Sequence, residues 1–517
     1  MRLKVLAVVL ICCATVSAPS VAQESDSSYA TGVVYEDVNR NAVRDSSEPG
    51  VQGVRVSNGR ISVKTGPTGS YRLPVGDDTI VFVIKPRNYK TTIDANNVPR
   101  FYYIHKPNGS PKLKHAGVDP TGPLPTSVDF PLYRSQEPDC FRAVFLGDTQ
   151  VTSTQQIAFL AHDVIEELVG NDSAFAVSLG DIVGDRLELY EPLIPVMGKT
   201  GMPCYYVKGN HDSNYDGAPT QKLINETYER FFGPSHYSYD YGPVHFIVLD
   251  NPYFGGGKGY VGRLDLEQMA FLRDDLASIP KQQLVVLMMH IPIVEMTDRA
   301  RIYDLLRDHP NTFSISGHTH TQHNCFVTQK DGWKGTTPHH HLINATACGS
   351  WWNGALDELG IPHTTMRDGT PNGYSVITFE NTSYSVRFKV ARRPQDYQMN
   401  IYAPDELEAA KTDKAEVLVN VFAGSERSKV EMCIEGKTPW TAMQLAPTPD
   451  PAYASTKARE DALKPRPGGE LPGPGKSPHI WKANLPTGLP PGTHLIKVRT
   501  LDMFGQTFTG SRVLAIR

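Results

Sequence analysis

Five short segments of the chain combine residue types that bind metal ions, and each directly follows an apolar stretch. They hold carboxylates, amides and imidazoles, and four of them place a glycine beside the metal-binding residue. The segments are residues 147–150, 180–185, 209–212, 289–292 and 317–320. Oxygen and imidazole groups without thiolates favour a divalent Mn, Fe, Zn or Mg pair over a thiolate site.

The elements that must position these segments are predicted from the alternation of apolar and amphipathic stretches after residue 141. Strands are predicted at 142–146, 174–179, 204–207, 245–249, 284–289 and 312–315, and helices at 154–169, 187–197, 222–232, 265–277 and 299–307. Such alternation predicts an α/β region with a largely buried sheet. Because ligands bind outside the carboxyl ends of strands in such sheets, we expect the five segments to converge on one spot.

The regions on either side of this α/β part have the patterns of β structure. Short β stretches at 30–35, 51–57, 70–75 and 79–84, bounded by Gly, Pro or Asn, predict a small N-terminal β-sandwich. Stretches at 416–422, 429–434, 494–500 and 513–516 predict a C-terminal β domain without helices. Eight prolines within residues 447–478 indicate a mobile loop there. The expected domains are residues 23–134, 138–398 and 399–517.

Residues 1–22 have the pattern of an export signal. Arg2 and Lys4 precede an apolar run over residues 5–14, and Ser20-Val21-Ala22 offers a small-x-small cleavage site. The run is shorter than the roughly 20 residues that cross a bilayer, and no later run approaches that length. We therefore expect an exported protein without a transmembrane segment, a buried first helix being the alternative.

Composition and cysteine content exclude several classes of function. The chain has 40% apolar and 21% charged residues, which is ordinary for a globular protein, and a net charge of −4. This charge argues against binding nucleic acid or anionic membranes through bulk charge, so any phosphate chemistry needs a local site. Five scattered cysteines follow the signal, without a C-x-x-C pair, which argues against a disulfide framework and leaves one bridge possible.

The order D-x-(H/Q), GD, GNH(D/E), H, GHxH resembles the calcineurin-like metallophosphoesterase superfamily. The sequences of residues 180–185, 348–352 and 368–374 resemble those of one bacterial group within this superfamily. Members of that group carry extra N- and C-terminal metallophosphoesterase-associated domains. The resemblance implies an α/β fold, a four-layer αββα sandwich flanked by an N-terminal β-sandwich and a C-terminal β domain. It implies a metal-dependent phosphoric ester hydrolase, and the expected export signal places it in the periplasm or outside the cell.

The resemblance also implies two divalent metal ions and assigns their ligands. Asp148, Gln150 and His320 would hold the first ion, and Asn210, His290 and His318 the second, with Asp181 bridging both. A hydroxide that bridges the ions would attack the phosphate in line. Gln150 stands where most members have His, and its weaker amide oxygen leaves the choice among Mn, Fe, Zn and Mg open.

Proton transfer is assigned by the same resemblance to His211. This histidine follows the ligand Asn210 and would protonate the leaving oxygen, with Asp212 or Asp185 orienting its ring. The alternative for His211 is a loop histidine without a catalytic role. The alternative for Asp185 and Asp212 is a purely structural role.

Two further segments could face a substrate. Because neighbouring residues of a strand point to opposite faces, at most His339 and His341 of the run 339–341 could face one site. Trp351 and Trp352 could wall a substrate cleft or lie in the core.

A calcium loop is a separate possibility in the N-terminal domain. Its side-chain oxygens occupy EF-hand positions 1, 3, 5, 9 and 12, and Val43 stands at position 7. The residues are Asp37, Asn39, Asn41, Val43, Asp45 and Glu48. Ala42 replaces the usual glycine and β stretches flank the loop, which resembles the Ca²⁺ loops of bacterial surface β modules; a polar turn is the alternative.

These observations predict an exported phosphoesterase for a small-molecule or lipid-headgroup phosphate, with no nucleic-acid partner. A monoester is favoured because nothing in the sequence defines a groove for a second alcohol. The alternatives are a phosphodiesterase and a cell-envelope binding module with a degenerate catalytic core.

Overall fold

The computed structural model describes residues 28–216, 220–255 and 259–517, so the expected export signal at 1–22 lies outside the described residues. Among the described helices, none is both long and apolar enough to cross a bilayer. The domain boundaries expected from the sequence stay a prediction.

Two β-sheets form the centre of the molecule. The first contains, in spatial order, Cys204–Tyr206, Phe175–Ser178, Cys140–Leu146, Gly373–Glu380 and Ser383–Val390. The second contains Tyr237–Tyr241, Val244–Val248, Leu284–Met288, Thr312–Ser316, His339–Ile343 and His323–Val327. The first three strands of sheet one run parallel, as do the middle four of sheet two. Phe145 and Val177 share one buried cluster with Phe246 and Val286, so the sheets pack face to face.

Helices cover the outer faces of both sheets. One face of the first sheet packs on Thr154–Leu160, the π-helical turn Ala161–Ile165 and Glu166–Leu168, and on Tyr190–Met197 and Glu226–Phe232. Leu266–Ser278 and Arg299–Leu306 pack on the second sheet. Ser153 and Asp265 cap two of these helices by accepting the backbone N–H groups of Gln156 and Gln268. The predicted four-layer αββα sandwich is therefore confirmed.

The N-terminal region is a β-sandwich fused to this core. One of its two sheets contains Ser70–Val75, Ser28–Glu36, Phe130–Arg134 and Tyr89–Lys90. The other contains Ser62–Lys64, Arg55–Ser57, Thr79–Ile84 and Tyr102–His105. Both sheets contribute to one apolar cluster. Phe82, Ile84 and Phe101 lie instead in the cluster between the central sheets. Arg55 also pairs with the buried Asp275, whose second oxygen lies 2.8 Å from His245 Nε2.

The C-terminal region is a second two-sheet β structure. One sheet contains Met399–Tyr402, Glu416–Val421, Ile480–Asn484 and Gln444–Leu445, and the other Glu406–Leu407, Thr507–Ile516, Gly492–Leu501, Lys429–Ile434 and Thr441–Ala442. Val419 and Trp481 of the first share a core with Ile496 and Val498 of the second. Short ladders elsewhere pair Thr92–Ile93 with Pro99–Arg100 and Pro252–Tyr253 with Val261–Gly262.

The expectation of a mobile loop at 447–478, in a domain without helices, is wrong. This segment contains the helix Pro451–Ala462, and a 3-10 helix lies at Ala409–Lys414. Asp450 caps the longer helix by accepting the N–H of Tyr453, and Pro451 occupies its first turn, where proline is favourable. Thr448–Pro449 pairs with Lys476–Ser477, and Gly468–Gly469 pairs with Gly354–Ala355 of the central domain.

Candidate metal centre

Three side chains from three other loops meet around His290. Its Nε2 lies 3.1 Å from Asp181 Oδ2, 3.1 Å from Asn210 Oδ1 and 3.1 Å from His318 Nδ1. Asp181, His290 and His318 each place a ligand atom within 4.8 Å of the others. This set of one carboxylate, one amide oxygen and two imidazoles suits a divalent ion. These are the residues expected to hold the second metal, together with the bridging carboxylate.

A second group of donors lies on the other side of Asp181. Asp148 Oδ1 is 3.7 Å from His320 Nε2, and Gln150 Nε2 is 3.5 Å from Asp181 Oδ2. The same oxygen of Asp181 thus contacts His290 of the first group and Gln150 of the second. An amide N–H group cannot bind a cation, so Gln150 becomes a ligand only with its amide turned to present Oε1.

Backbone carbonyls orient two of the imidazoles. His290 Nδ1 lies 2.9 Å from the carbonyl of Leu179, and His320 Nδ1 lies 2.5 Å from that of Gly349. A carbonyl only accepts, so each Nδ1 carries a hydrogen, which leaves Nε2 as the ring atom that can bind a metal ion.

Burial and neighbouring charges shift the pKa values of the acidic and imidazole groups at this centre. Burial opposes ionisation of Asp181, but His290 and His211 outweigh it and hold the pKa of Asp181 below its usual value. Burial also opposes charge on His290, yet Asp181 raises the pKa of His290 to about 9. Burial lowers the pKa of His318 to about 3 and that of His320 to about 4. A cation therefore competes with a proton on His290, while the other two imidazoles already offer lone pairs.

Five of the seven expected ligands have a left-handed backbone that non-glycine residues seldom adopt. The φ angles are 30° at Asp148, 35° at Gln150, 46° at Asp181, 79° at His318 and 51° at His320. Each such residue costs on the order of 1–3 kcal/mol and persists only where its surroundings enforce it. The backbone N–H of His318 supplies one such constraint by donating to Asp148 Oδ2 at 2.9 Å. Strain is thus concentrated at the residues that would bind metal.

Gly209 and Gly317 lie so close to carboxylates of the centre that only glycine fits at these positions. A Cβ atom at Gly209 would lie 2.2 Å from Asp181 Oδ1, and one at Gly317 would lie 2.2 Å from Asp148 Oδ2. Any side chain at either position would displace a carboxylate from the centre. The glycines beside the ligands therefore leave room for ligands from other loops.

Family models match three successive parts of the chain. "Calcineurin-like phosphoesterase" matches residues 141–322, "N terminal of Calcineurin-like phosphoesterase" matches 38–115 and "C terminal of Calcineurin-like phosphoesterase" matches 341–508. The chain belongs to the calcineurin-like phosphoesterase family. Its members are metal-dependent phosphoesterases, in agreement with the donor set at the centre.

Solved structures resemble this phosphoesterase only distantly. A purple acid phosphatase from yellow lupin (Lupinus luteus) is 11% identical, with a TM-score of 0.37. The match covers 70% of this chain and 66% of the lupin chain, so this chain spans just under two thirds of the length of the lupin protein. CopC from Methylosinus trichosporium OB3b is 15% identical, with a TM-score of 0.13, over 23% of this chain and 88% of that one. No protein of curated function matches the chain significantly.

His211 lies beside the residues expected to bind metal, with its ring partly exposed. Its backbone N–H donates to Asp181 Oδ1 at 2.8 Å, and its ring Nδ1 lies 2.8 Å from Asp185 Oδ1. Burial lowers the pKa of His211, but the hydrogen bond to Asp185 and the charge of Asp181 raise it to about 9. The ring can therefore hold a proton at neutral pH.

Asp212 does not orient the ring of His211, contrary to one of the two expectations for it. Its buried carboxylate accepts the N–H groups of Ile182 at 3.0 Å and Gly209 at 2.8 Å, and the hydroxyl of Tyr190 at 2.9 Å. These contacts tie the loop after one strand to the loop after the next. Asp212 therefore positions two ligand loops, and Asp185 is the carboxylate that contacts His211.

The expectation that His339 and His341 face a substrate is wrong. Both are buried, with His339 between the hydroxyls of Thr312 and Ser314, and His341 between those of Ser314 and Ser316. Both ring nitrogens of each histidine thus already have partners. Their strand is paired on both edges and lies inside the second sheet, so the two residues share a face but that face is not open to solvent.

The two tryptophans have different roles. Trp352 is buried and donates its indole N–H to the carbonyl of Thr149 at 3.0 Å, so it belongs to the core, and the expectation of a substrate role is wrong for it. Trp351 is 38% exposed and stacks on the ring of His320, with centroids 4.1 Å apart. Only Trp351 therefore borders the metal centre.

Sequence reasoning missed Asn251, which supports the metal centre. Its side-chain oxygen accepts the N–H groups of His290 at 3.2 Å and Ile291 at 3.0 Å, and its amide donates to the carbonyl of Ile291. Asn251 follows the apolar strand Val244–Val248, as the five recognised segments follow theirs. The polar Asn251 after this sixth strand is the feature of the sequence that could have identified it.

Sequence reasoning also missed Tyr215 and Tyr260 at the rim of the centre. The Tyr215 hydroxyl donates to the carbonyl of Asn210, and the Tyr260 ring stands edge-on to His318 at 5.9 Å. Neither belongs to a recognisable motif, so no signal in the sequence marked them.

The possible calcium loop is folded on its own polar groups. Asp37 Oδ2 accepts the N–H of Ala42 at 2.7 Å, Glu48 Oε1 accepts that of Val38 at 2.8 Å, and Asp45 accepts amide hydrogens from Asn39 and Asn41. Ala42 has a φ of 58°, the left-handed backbone for which the EF-hand uses glycine. Calcium binding stays a prediction.

Proposed function

We propose that this protein is an exported phosphatase that hydrolyses an organic phosphate monoester with two divalent metal ions. The observation that carries the proposal is the convergence of seven donor side chains on both sides of Asp181, with an acid–base pair, His211 and Asp185, beside them. Asp148, Gln150 and His320 would hold one ion, Asn210, His290 and His318 the other, and Asp181 both. When bound, such ions neutralise phosphate oxygens and lower the pKa of a water molecule.

The remaining chemistry falls to residues of the chain. Asp185 accepts the hydrogen on Nδ1 of His211, so the second ring hydrogen of the protonated histidine is on Nε2. Transfer of that hydrogen to the ester oxygen, as its bond to phosphorus breaks, releases a neutral alcohol. Asp212 and Asn251 hold the ligand loops, and the carbonyls of Leu179 and Gly349 hold two imidazoles, so that Gln150 is the one donor whose amide must turn.

Export and the preference for a monoester rest on the sequence. Residues 1–22 have the pattern of a signal, which directs the protein to the periplasm or beyond. Nothing in the sequence defines a groove for a second alcohol, which supports a monoester of a small molecule or lipid headgroup. A binding module with a degenerate core is less consistent with the chain, because every expected donor except the Gln150 substitution is of the usual type.

The proposal is tested with the full-length protein and two chromogenic substrates. Hydrolysis of p-nitrophenyl phosphate and of bis(p-nitrophenyl) phosphate is measured with Mn²⁺, Fe²⁺, Zn²⁺ or Mg²⁺, after chelation, and after the ion is restored. We expect faster hydrolysis of the monoester, loss on chelation and recovery on restoration. Faster hydrolysis of the diester would make the protein a phosphodiesterase, and no hydrolysis with any ion would favour the binding module.

A further inference from the structure

Three exposed aromatic rings lie at the metal centre without a cation to cover them. Five Tyr and Trp side chains of the described residues are exposed: Tyr29, Tyr215, Tyr260, Trp351 and Trp440. Arg72 covers Tyr29 with its guanidinium carbon 3.3 Å from the ring centroid, and Arg499 covers Trp440 at 4.4 Å. Within the described part of the chain, no lysine or arginine lies over the rings of the other three.

Each of these three rings contacts a residue expected to bind metal. Trp351 stacks on His320 at an interplanar angle of 23°. Tyr260 meets His318 edge-on, and Tyr215 donates its hydroxyl to the carbonyl of Asn210. Phe254 joins the two tyrosines, with ring centroids 4.7 Å from Tyr215 and 5.5 Å from Tyr260. A phosphate held at the centre would therefore have aromatic surface next to its ester group on two sides.

Two basic side chains near this rim, among the residues that the structure describes, pair with acidic partners. Arg186 pairs with Glu188, and Lys114 pairs with Asp216 at 2.8 Å. Asp185 adds an exposed negative charge. This rim does not favour a second anionic group on the substrate, which leaves uncharged apolar or aromatic groups as the better match.

The backbone of Trp351 supports a dedicated role for its ring. Its φ of 57° is left-handed, which is rare for a bulky residue and costs free energy. Trp352 anchors this turn in the core, and the N–H of Ser350 donates to the carbonyl of Thr364 at 2.8 Å. The fold therefore maintains a strained turn that keeps one indole buried and the next one exposed at His320.

From these contacts we propose that the substrate is a phosphate ester whose alcohol carries a planar aromatic ring, which packs on Trp351 or Tyr260. The inference rests on the proposed function and specifies its substrate class. The oxygen of water bonds to phosphorus as the ester bond breaks, and the leaving oxygen takes the proton from His211. The hydrogen that water gives up restores the proton on His211, so the products are inorganic phosphate and the aromatic alcohol. An aryl phosphate and a nucleoside monophosphate share this chemistry.

Binding of two phosphonates tests the aromatic preference without hydrolysis. The dissociation constants of phenylphosphonate and methylphosphonate are measured by calorimetry on Mn²⁺-loaded full-length protein. Since aromatic stacking contributes roughly 0.5–1.5 kcal/mol beyond burial, we expect phenylphosphonate to bind about 5-fold more tightly or better. The ratio of the two constants should fall to roughly 2-fold or less in Trp351→Ala or in Tyr260→Ala.

Matched variants separate ring contact from damage to the metal centre. Trp351→Phe should retain most of the preference, and Trp440→Ala, which removes an exposed ring in the C-terminal domain, should retain all of it. Damage to metal binding would weaken both phosphonates equally and leave their ratio unchanged. Equal binding of the two phosphonates to the wild type, or the same loss in Trp440→Ala, would overturn the inference.

Hydrolysis of two alkyl phosphates distinguishes the sources of the ring. Adenosine monophosphate and glycerol phosphate have alkoxide leaving groups of similar basicity, so their kcat/KM values compare recognition rather than leaving-group strength. A preference for the nucleotide that Trp351→Ala or Tyr260→Ala removes would identify a nucleoside phosphate, whereas a preference limited to phenylphosphonate would identify an aryl phosphate. If esters are hydrolysed but neither aromatic preference exists, this inference alone fails; if no phosphate ester is hydrolysed, the proposed function fails with it.

Discussion

His211 Nδ1 lies 2.8 Å from Asp185 Oδ1, and these two residues come from loops that follow different strands of the first sheet. The carboxylate selects the hydrogen position on the ring and favours its charged form. The backbone N–H of His211 also donates to Asp181, so the proposed proton donor is held directly against the proposed bridging carboxylate. Under the proposed function, metal binding and proton transfer would be carried by different but adjoining side chains.

His211→Ala should separate these two roles. We expect metal content near that of the wild type, because the backbone N–H that contacts Asp181 and all seven donors remain. General acid catalysis contributes about 10²–10⁴-fold, so hydrolysis of esters with alkoxide leaving groups should slow by that factor. Hydrolysis of p-nitrophenyl phosphate should slow much less, because p-nitrophenolate needs little protonation. Metal analysis and both rates are measured on the same sample.

Loss of one metal ion from the His211→Ala protein would show that His211 is a ligand. An equal decrease for good and poor leaving groups would show that it stabilises charge rather than donates a proton.

Asp185→Asn should shift the pH dependence of the same step. In the wild type, Asp185 and Asp181 raise the pKa of His211, so the protonated donor is retained at neutral pH and lost as the pH rises through that pKa. Replacing the Asp185 carboxylate by an amide removes one raising contribution, so the alkaline limb of kcat/KM on an alkyl phosphate should move to lower pH. The pH dependence of kcat/KM is measured for both proteins. An alkaline limb at the same pH in both would show that the His211–Asp185 pair does not determine it.

Asp181→Asn should be far more damaging than Asp185→Asn. The amide removes charge from the one oxygen that faces both donor groups, and we expect loss of metal together with a decrease in rate of several orders of magnitude. Asp185 acts through His211, and removing such a supporting group typically costs about 10–100-fold. Rates and metal content of the two variants are compared under saturating Mn²⁺; equal losses would contradict the bridging assignment.

Sequence patterns predicted the central domain well because its constraints are local. The predicted helix at 187–197 corresponds to the helical run Leu187–Leu189 and Tyr190–Met197. Each of the six predicted strands ends within two residues of an observed strand, and five other strands of the two central sheets were not predicted. Apolar periodicity determines these elements. Glycines beside ligands were informative because a side chain there would collide with a ligand from another loop.

Pairs of neighbouring residues could not be told apart by sequence. Asp212 is adjacent to His211, yet its side chain turns to the loop of Ile182, while Asp185, distant in sequence, contacts the ring. Trp351 and Trp352 likewise diverge to solvent and core. Strand alternation correctly placed His339 and His341 on one face, but which face is buried depends on the strands that pair on either side.

The junction between the N-terminal sandwich and the central domain should contribute strongly to stability. Asp275 is buried between Arg55 and His245, and its charge, against the effect of burial, helps to raise the pKa of His245 to about 9. Asp275→Asn leaves the buried Arg55 without a carboxylate partner and His245 with Asp240 as its one acidic partner, which should cost about 3–5 kcal/mol of unfolding free energy. Urea unfolding of the full chain checks this, with the exposed Glu267→Gln of the same helix as the control; equal midpoints for both variants would contradict the prediction.

The number of metal ions bound per chain tests the central claim most directly. Full-length protein is stripped with chelator, reconstituted with Mn²⁺, freed of excess ion and analysed by mass spectrometry, with Asn210→Ala and Asp148→Ala prepared in parallel. Since the donors form two groups around Asp181, we expect two ions in the wild type and fewer in either variant. A wild type that retains no ion, or variants that retain both, would contradict the assignment of these residues as a two-metal centre.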